Sequence, residues 1–170
     1  MGKIVYVSDY FSSEINGGGE LNDNELINIF LSKDIEILKL KSSNVKLPIL
    51  KQINNIPIII SNFINLDSEC IAYLQENCRY VIYEHDHKYI MGRNPAVYSN
   101  LIAPKEHIVN FQFYKNAKHI FCQSSLHKNI IYNNLKLDNI INLSGNLWSI
   151  DTLKFIENIC INNKNNKYAI

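Results

Sequence analysis

Arg79-Tyr80-Val81-Ile82-Tyr83-Glu84-His85-Asp86-His87-Lys88-Tyr89 is the stretch on which the reading of this chain turns. Its first half is apolar and short, which predicts a strand buried in a sheet. Its second half packs an acid, two histidines, a second acid and a lysine into positions 84 to 88. Hydrophobic cores do not carry that density of titratable groups, whereas ligands gather beyond the carboxyl ends of strands in open α/β sheets. A solvated turn is the plainer reading of any single strand-end histidine. The clustering of two histidines with two acids favours a site.

Upstream of this stretch, Ile56-Pro57-Ile58-Ile59-Ile60 is wholly apolar and predicts a central parallel strand buried on both faces, ending in Ser61-Asn62-Phe63. Asp67 or Ser68 caps a helix that runs to Asn77 and turns Cys70, Ile71 and Leu74 inward. Nearer the start, residues 3–10 alternate as a strand, and Gly17-Gly18-Gly19-Glu20 stands between it and a helix over 21–31. Leu26, Ile27, Phe30 and Leu31 fall there at helical spacing, with acids in the first turn as the helix dipole favours. A second strand covers 35–40, and 42–51 is a connector with a helical turn.

Downstream, 91–104 reads as a long loop over the sheet edge. A helix is expected over 107–116 with Ile108, Phe111 and Phe113 inward, then a strand over 118–122 ending in Gln123-Ser124-Ser125. Ser124 and Ser125 are best read as helix caps for the following helix, 126–135. A strand over 139–143, a turn over 144–149 and a helix to about Cys160, capped by Ser149 or Asp151, complete the series. Strands alternating with helices argue for an α/β fold, a Rossmann-like doubly wound parallel sheet of about six strands. That domain is expected to span 1–161, with 162–170 an interdomain linker and the start of a missing C-terminal domain.

Composition excludes several function classes. The 170 residues are 46% apolar and 19% charged, as in globular proteins, and the net charge of +1 offers no footprint for nucleic acid or a membrane surface. No apolar run approaches the roughly 20 residues of a transmembrane segment. The N-terminus lacks the features of a signal peptide, and Cys70, Cys78, Cys122 and Cys160 lack C-x-x-C spacing. A cytoplasmic protein with reduced thiols is therefore expected. His85-x-His87 supplies two ligands where zinc wants three or four, so no metal is expected. No G-x-S-x-G elbow supports Ser–His–Asp hydrolysis. The glycines match neither the dinucleotide fingerprint nor a P-loop; they form either a flexible turn or a helix N-terminus where backbone amides meet an anion.

Three passages together resemble the N-terminal half of a GT-B fold glycosyltransferase, family 4-like. Gly17-Gly18-Gly19-Glu20 is similar to the Gly-Gly-x-Glu loop that faces the donor diphosphate. Glu84-His85-Asp86 is similar to that family's strand-end histidine, and Phe121-Cys122-Gln123-Ser124-Ser125 with Gly145-Asn146 resembles its passage toward the interdomain linker. The resemblance implies transfer of a sugar, with a lean to retention, from a nucleotide-sugar donor to a glycan, lipid or other small acceptor bound on this domain, with no metal or other cofactor. It implies that His85 contacts the donor sugar near the reacting carbon, with His87 competing for the role and Asp86 or Glu84 orienting either imidazole. Gly17, Gly18 and Gly19 would stabilise the leaving diphosphate. Glu20, Lys88, Arg93 and Asn94 would bind the acceptor, the last three through a hydroxyl, carboxylate or phosphate, an Arg fork suiting the last two groups. The family's donor-gripping glutamate pair lies in the C-terminal domain, so residues 1–170 alone are expected to transfer no sugar. The other reading is a non-catalytic glycan- or nucleotide-binding module, or a partner-dependent half-enzyme.

Overall fold

Within residues 2–162, which the computed structural model describes, six strands form one all-parallel sheet. They are β1 (Lys3–Ser8), β2 (Glu36–Lys41), β3 (Ile58–Ile60), β4 (Tyr80–Tyr83), β5 (Ile120–Cys122) and β6 (Ile140–Asn142), in the order β2-β1-β3-β4-β5-β6. Helices α1 (Gly18–Leu31), α2 (Leu47–Ile53), α3 (Ser68–Asn77), α4 (Phe111–Asn116) and α5 (Ser125–Leu135) fall between successive strands, and α6 (Ile150–Asn162) follows β6. The fold is α/β, a Rossmann-like doubly wound sheet. The chain leaves β1 toward one edge and returns across it to β3, so the strand order reverses between those two. Ligand crevices of such sheets open beyond the carboxyl ends at that point.

Pleating sends alternate residues to opposite faces. Val5, Val7, Ile58, Ile60, Ile82, Ile120 and Cys122 point into the main core, where they meet Leu50, Ile53, Cys70, Leu74, Phe113 and Ile131 from the helices between β2 and β6. Tyr80 stacks on Phe113 at 4.8 Å between ring centroids, and Phe63 meets Phe113 edge-on at 4.9 Å. Each pair adds about 0.5–1.5 kcal/mol beyond its area burial. The opposite face is thinly covered. Leu26 and Phe30 of α1 reach over it, but an apolar hollow of about 170 Å³ stays open between them and Ile59, Val81, Phe121 and Leu143.

That asymmetry corrects the reading of 56–60 as buried on both faces, since Ile59 is only half-buried. Other expectations shift for local reasons. β1 stops at Ser8 and α1 begins at Gly18, so the glycines form the N-cap and first turn of the helix. Within α1 the inward residues are Asn22, Asp23 and Ile27, while Leu31 is exposed. The connector holds a true helix, α2, opened by Pro48, which a first turn tolerates because its N–H is unused there. The helix expected over 107–116 starts only at Phe111, because Ile108 pairs with Ile90 in an isolated bridge and Asn110 is left-handed at φ 55°. Phe113 is buried as expected, but Phe111 is exposed. Asp67 stands at the α3 N-cap without capping it and pairs with Lys46 at 2.5 Å. The loop 91–104 contains two 3-10 turns and is tied down by Asn134, whose amide bonds Ala103 N and Leu101 O. Helix α6 runs through the boundary drawn at residue 161, and the rest of the linker and the strand expected at 168–170 lie outside the described residues. Among those residues no helix is long and apolar enough to cross a membrane.

Candidate active site

Alternation continues past the end of β4, and that divides the charged stretch. Glu84 turns to the main-core side and is fully buried. It accepts hydrogen bonds from the Lys88 ammonium (3.1 Å), the Asp86 amide (2.8 Å) and the Tyr114 hydroxyl. Burial pushes the Glu84 carboxyl up, but the adjoining Lys88 charge, with the Tyr114 and Asp86 donors, outweighs it and holds the group at about 2. Burial likewise opposes the Lys88 charge, and the Glu84 and Asp86 carboxylates overcome it, raising the ammonium above its usual value. Lys88 is 1% exposed, with its ammonium also donating to Asp86. The expectation that Lys88 greets an acceptor is thereby corrected: its charge is committed to two carboxylates of its own loop.

His85 turns the other way, toward α1. Its Nε2 lies 2.9 Å from Asp23 Oδ1 and its Nδ1 2.6 Å from the Gln123 amide nitrogen. An amide N–H can only donate, so Nδ1 accepts and Nε2–H donates to Asp23. The orienting acid is therefore Asp23, not Asp86 or Glu84. Asp23 is 2% exposed and also receives the Tyr6 hydroxyl (2.9 Å) and the Ser61 hydroxyl (2.5 Å). Burial first, and the Asp23 charge second, push the Tyr6 phenol well up, so it stays a donor. Beside it Asn22 accepts from the Tyr83 hydroxyl and reaches Asn146 Oδ1 at 3.4 Å, tying α1 to the turn after β6.

Gln123 extends the network, since its Oε1 lies 3.1 Å from His127 Nδ1 on α5. His127 must then carry its proton on Nδ1, which leaves Nε2 buried with no partner among the described residues. Burial and the neighbouring His87 lower His127 to about 4. The two rings lie 4.5 Å apart, and His87 Nδ1 meets the Tyr89 hydroxyl at 2.7 Å. His87 sits in the left-handed region at φ 57°, and burial lowers its pKa as well. His85 and His87 thus face different partners and do not converge on one point.

Gly19 packs on the His85 ring: a Cβ placed there would meet Cδ2 at 3.6 Å. The same construction at Gly17 collides with the Glu20 carboxylate, which folds back over the N-cap, while at Gly18 it meets nothing within 4 Å. Gly19 and His85 form a wall shared by two hollows. The larger, about 400 Å³, adjoins Gly18, Asn22, Gln123, Ser124, His127 and Trp148. The smaller, about 240 Å³, adjoins Ser8, Glu20, Asp23, Ser61, Asn62, Asp86 and Lys88. Two helix N-termini open on the larger hollow. That of α1 has no side-chain cap, and that of α5 is capped by Ser124, whose hydroxyl accepts from His127 N at 3.1 Å, as expected of that serine. Both leave backbone amides and a positive dipole end for an anion.

Of the residues picked from sequence, Gly18, Gly19, Glu20, His85, Asp86 and Lys88 come together around these hollows. Arg93 and Asn94 are exposed on the loop beyond. Arg93 pairs with Asp86 at 2.8 Å, and the Asn94 side chain accepts from Ala96 N, closing its own turn. Asn22, Asp23, Gln123 and His127 were missed. Asp23 was legible in one respect: it stands four residues before Ile27, on the same helix face. No protein-family model matches the sequence, and no curated protein matches it significantly.

Proposed function

We propose that this chain carries the acceptor-side domain of a GT-B type glycosyltransferase, moving a sugar from a nucleotide-sugar donor to a glycan, lipid or other small acceptor. The observation that carries this reading is the wall of His85 and Gly19 between two hollows beyond the carboxyl ends of the strands, the smaller of them at the switch point between β1 and β3. A transferase needs two ligands meeting at one place. In this reading the diphosphate of the donor lies against the α1 and α5 N-termini, whose amides stabilise it as it leaves. Trp148, half-exposed beside the same hollow, offers a face for a sugar or base. His85 contributes as a neutral imidazole with the Asp23 carboxylate behind it, a source of negative potential where positive charge grows at the reacting carbon. Neither step calls for a metal.

The open apolar hollow under α1 favours one variant, the half-enzyme that works only with further polypeptide packed on this face. The test is an NMR titration of the ¹⁵N-labelled chain with UDP, GDP and ADP. Shifts concentrated at the amides of Gly18, Gly19, Glu20 and Ser125 support the reading. If no nucleoside diphosphate moves them at millimolar concentration, the transferase reading loses its donor site.

A further inference from the structure

The smaller hollow has a chemistry of its own. Three carboxylates adjoin it, from Glu20, Asp23 and Asp86, against the single ammonium of Lys88. That ammonium is already bonded to Glu84 and Asp86, so it presents no free positive charge to a ligand. Acidic residues alone do not make a site, but Ser8 supplies a second observation. Its side chain is 1% exposed at the end of β1, borders the hollow, and its Oγ has no hydrogen-bond partner among the described residues. A buried hydroxyl left unsatisfied costs free energy unless a ligand or water meets it. Asn62 stands beside it with its carbonyl oxygen turned back to Phe63 N, at 3.1 Å.

We infer that this hollow binds a hydroxyl-rich ligand that is neutral or cationic, an amino sugar fitting best, and rejects anionic acceptors. Ligand hydroxyls would exchange hydrogen bonds with Ser8 Oγ and the Asn62 amide, and an ammonium would face the Glu20 carboxylate. A phosphate or carboxylate placed there would meet the Glu20 and Asp23 carboxylates in a half-enclosed space, while Asp86 is already balanced by Lys88 and Arg93. The inference specifies the acceptor side of the proposed transferase and so rests on that reading. Of the hydroxyl, carboxylate or phosphate expected to meet Lys88, Arg93 and Asn94, it favours the hydroxyl over the two anions.

The experiment titrates the ¹⁵N-labelled chain with glucosamine, glucose and glucose 6-phosphate, following the amides of Gly19, Ser61 and Asn62. Glucosamine is expected to shift them with at least tenfold higher affinity than glucose 6-phosphate, with glucose between. Ser8→Ala is expected to weaken glucosamine at least threefold while leaving the rest of the spectrum in place, and Glu20→Gln to narrow the preference for the amine. Equal or tighter binding of the sugar phosphate overturns the inference. So does the absence of shifts with both uncharged and amino sugar, or an unaltered affinity in Ser8→Ala. If UDP shifts the helix N-termini while glucosamine leaves this hollow untouched, only the ligand class falls. If glucosamine binds and no nucleotide does, it is the transferase reading that falls.

Discussion

Replacing Lys88 by methionine separates a structural lysine from a ligand-facing one. The change keeps most of the stem and removes the charge that partners Glu84, which is 0% exposed. What remains is a buried carboxylate with only the Tyr114 hydroxyl and the Asp86 amide to hold it. Breaking a buried pair from one side costs about 3–5 kcal/mol. The pKa gives a consistent scale, since a carboxyl held at about 2 against an ordinary 4.5 corresponds to ~3 kcal/mol of favourable environment. For a chain of this length that loss lowers Tm by roughly 6–20 °C. The pH dependence supplies the sign. In the native protein the Glu84 contribution is complete above pH 4.5 and is lost as pH falls toward 2. In Lys88→Met only the Tyr114 and Asp86 donors oppose burial, which then raises Glu84 above its unfolded value, so the variant recovers stability relative to the parent as pH falls from 7 to 5. Urea denaturation followed by circular dichroism at both pH values measures this, and Glu84→Gln in the Lys88→Met background should restore most of the loss. A penalty under ~1 kcal/mol, the range of surface pairs, with no change in its size between the two pH values, would refute the buried-pair argument and return Lys88 to the list of ligand contacts.

Two other substitutions probe the hollows. Gly18→Ala places a Cβ in open space in the first turn of α1, so the free chain should gain about 0.5 kcal/mol. Nucleoside diphosphate affinity should fall roughly tenfold if phosphate lies against that amide; calorimetry showing unchanged affinity would remove the contact. His127, lowered to about 4 from 6.5, takes up its proton first in the unfolded chain, so stability should drop by about 2–3 kcal/mol as pH falls from 6.5 to 4. His127→Gln should flatten that part of the pH–stability curve, leaving the smaller slope due to His87, and an unchanged slope would show that His127 is not the group responsible.

Local pattern was enough for the layers of this fold. Apolar runs at 56–60, 80–83 and 120–122 and helical spacing in 68–77 and 125–135 name their own elements, because burial of one face demands a period that the chain itself must carry. Boundaries were less legible where tertiary pairing overrode propensity, as when Ile108 left an expected helix to bridge Ile90.

The candidate site divides along the same line. Sequence alone determined that titratable groups crowd the end of β4 and that glycines stand between the first strand and the first helix, since both are contiguous in the chain. Which groups face a ligand was decided only in three dimensions. Glu84 and His85 are neighbours in sequence, yet the pleat sends one into a buried ion pair with Lys88 and the other toward α1. Asp23 reaches His85 across 62 positions and Gln123 reaches it across 38, brought there because β1, β4 and β5 end at one edge of a parallel sheet. A carboxylate in an amphipathic helix carries no mark of its future partner. Its role arises when folding removes it from water and leaves it a short list of donors, here Tyr6, Ser61 and His85.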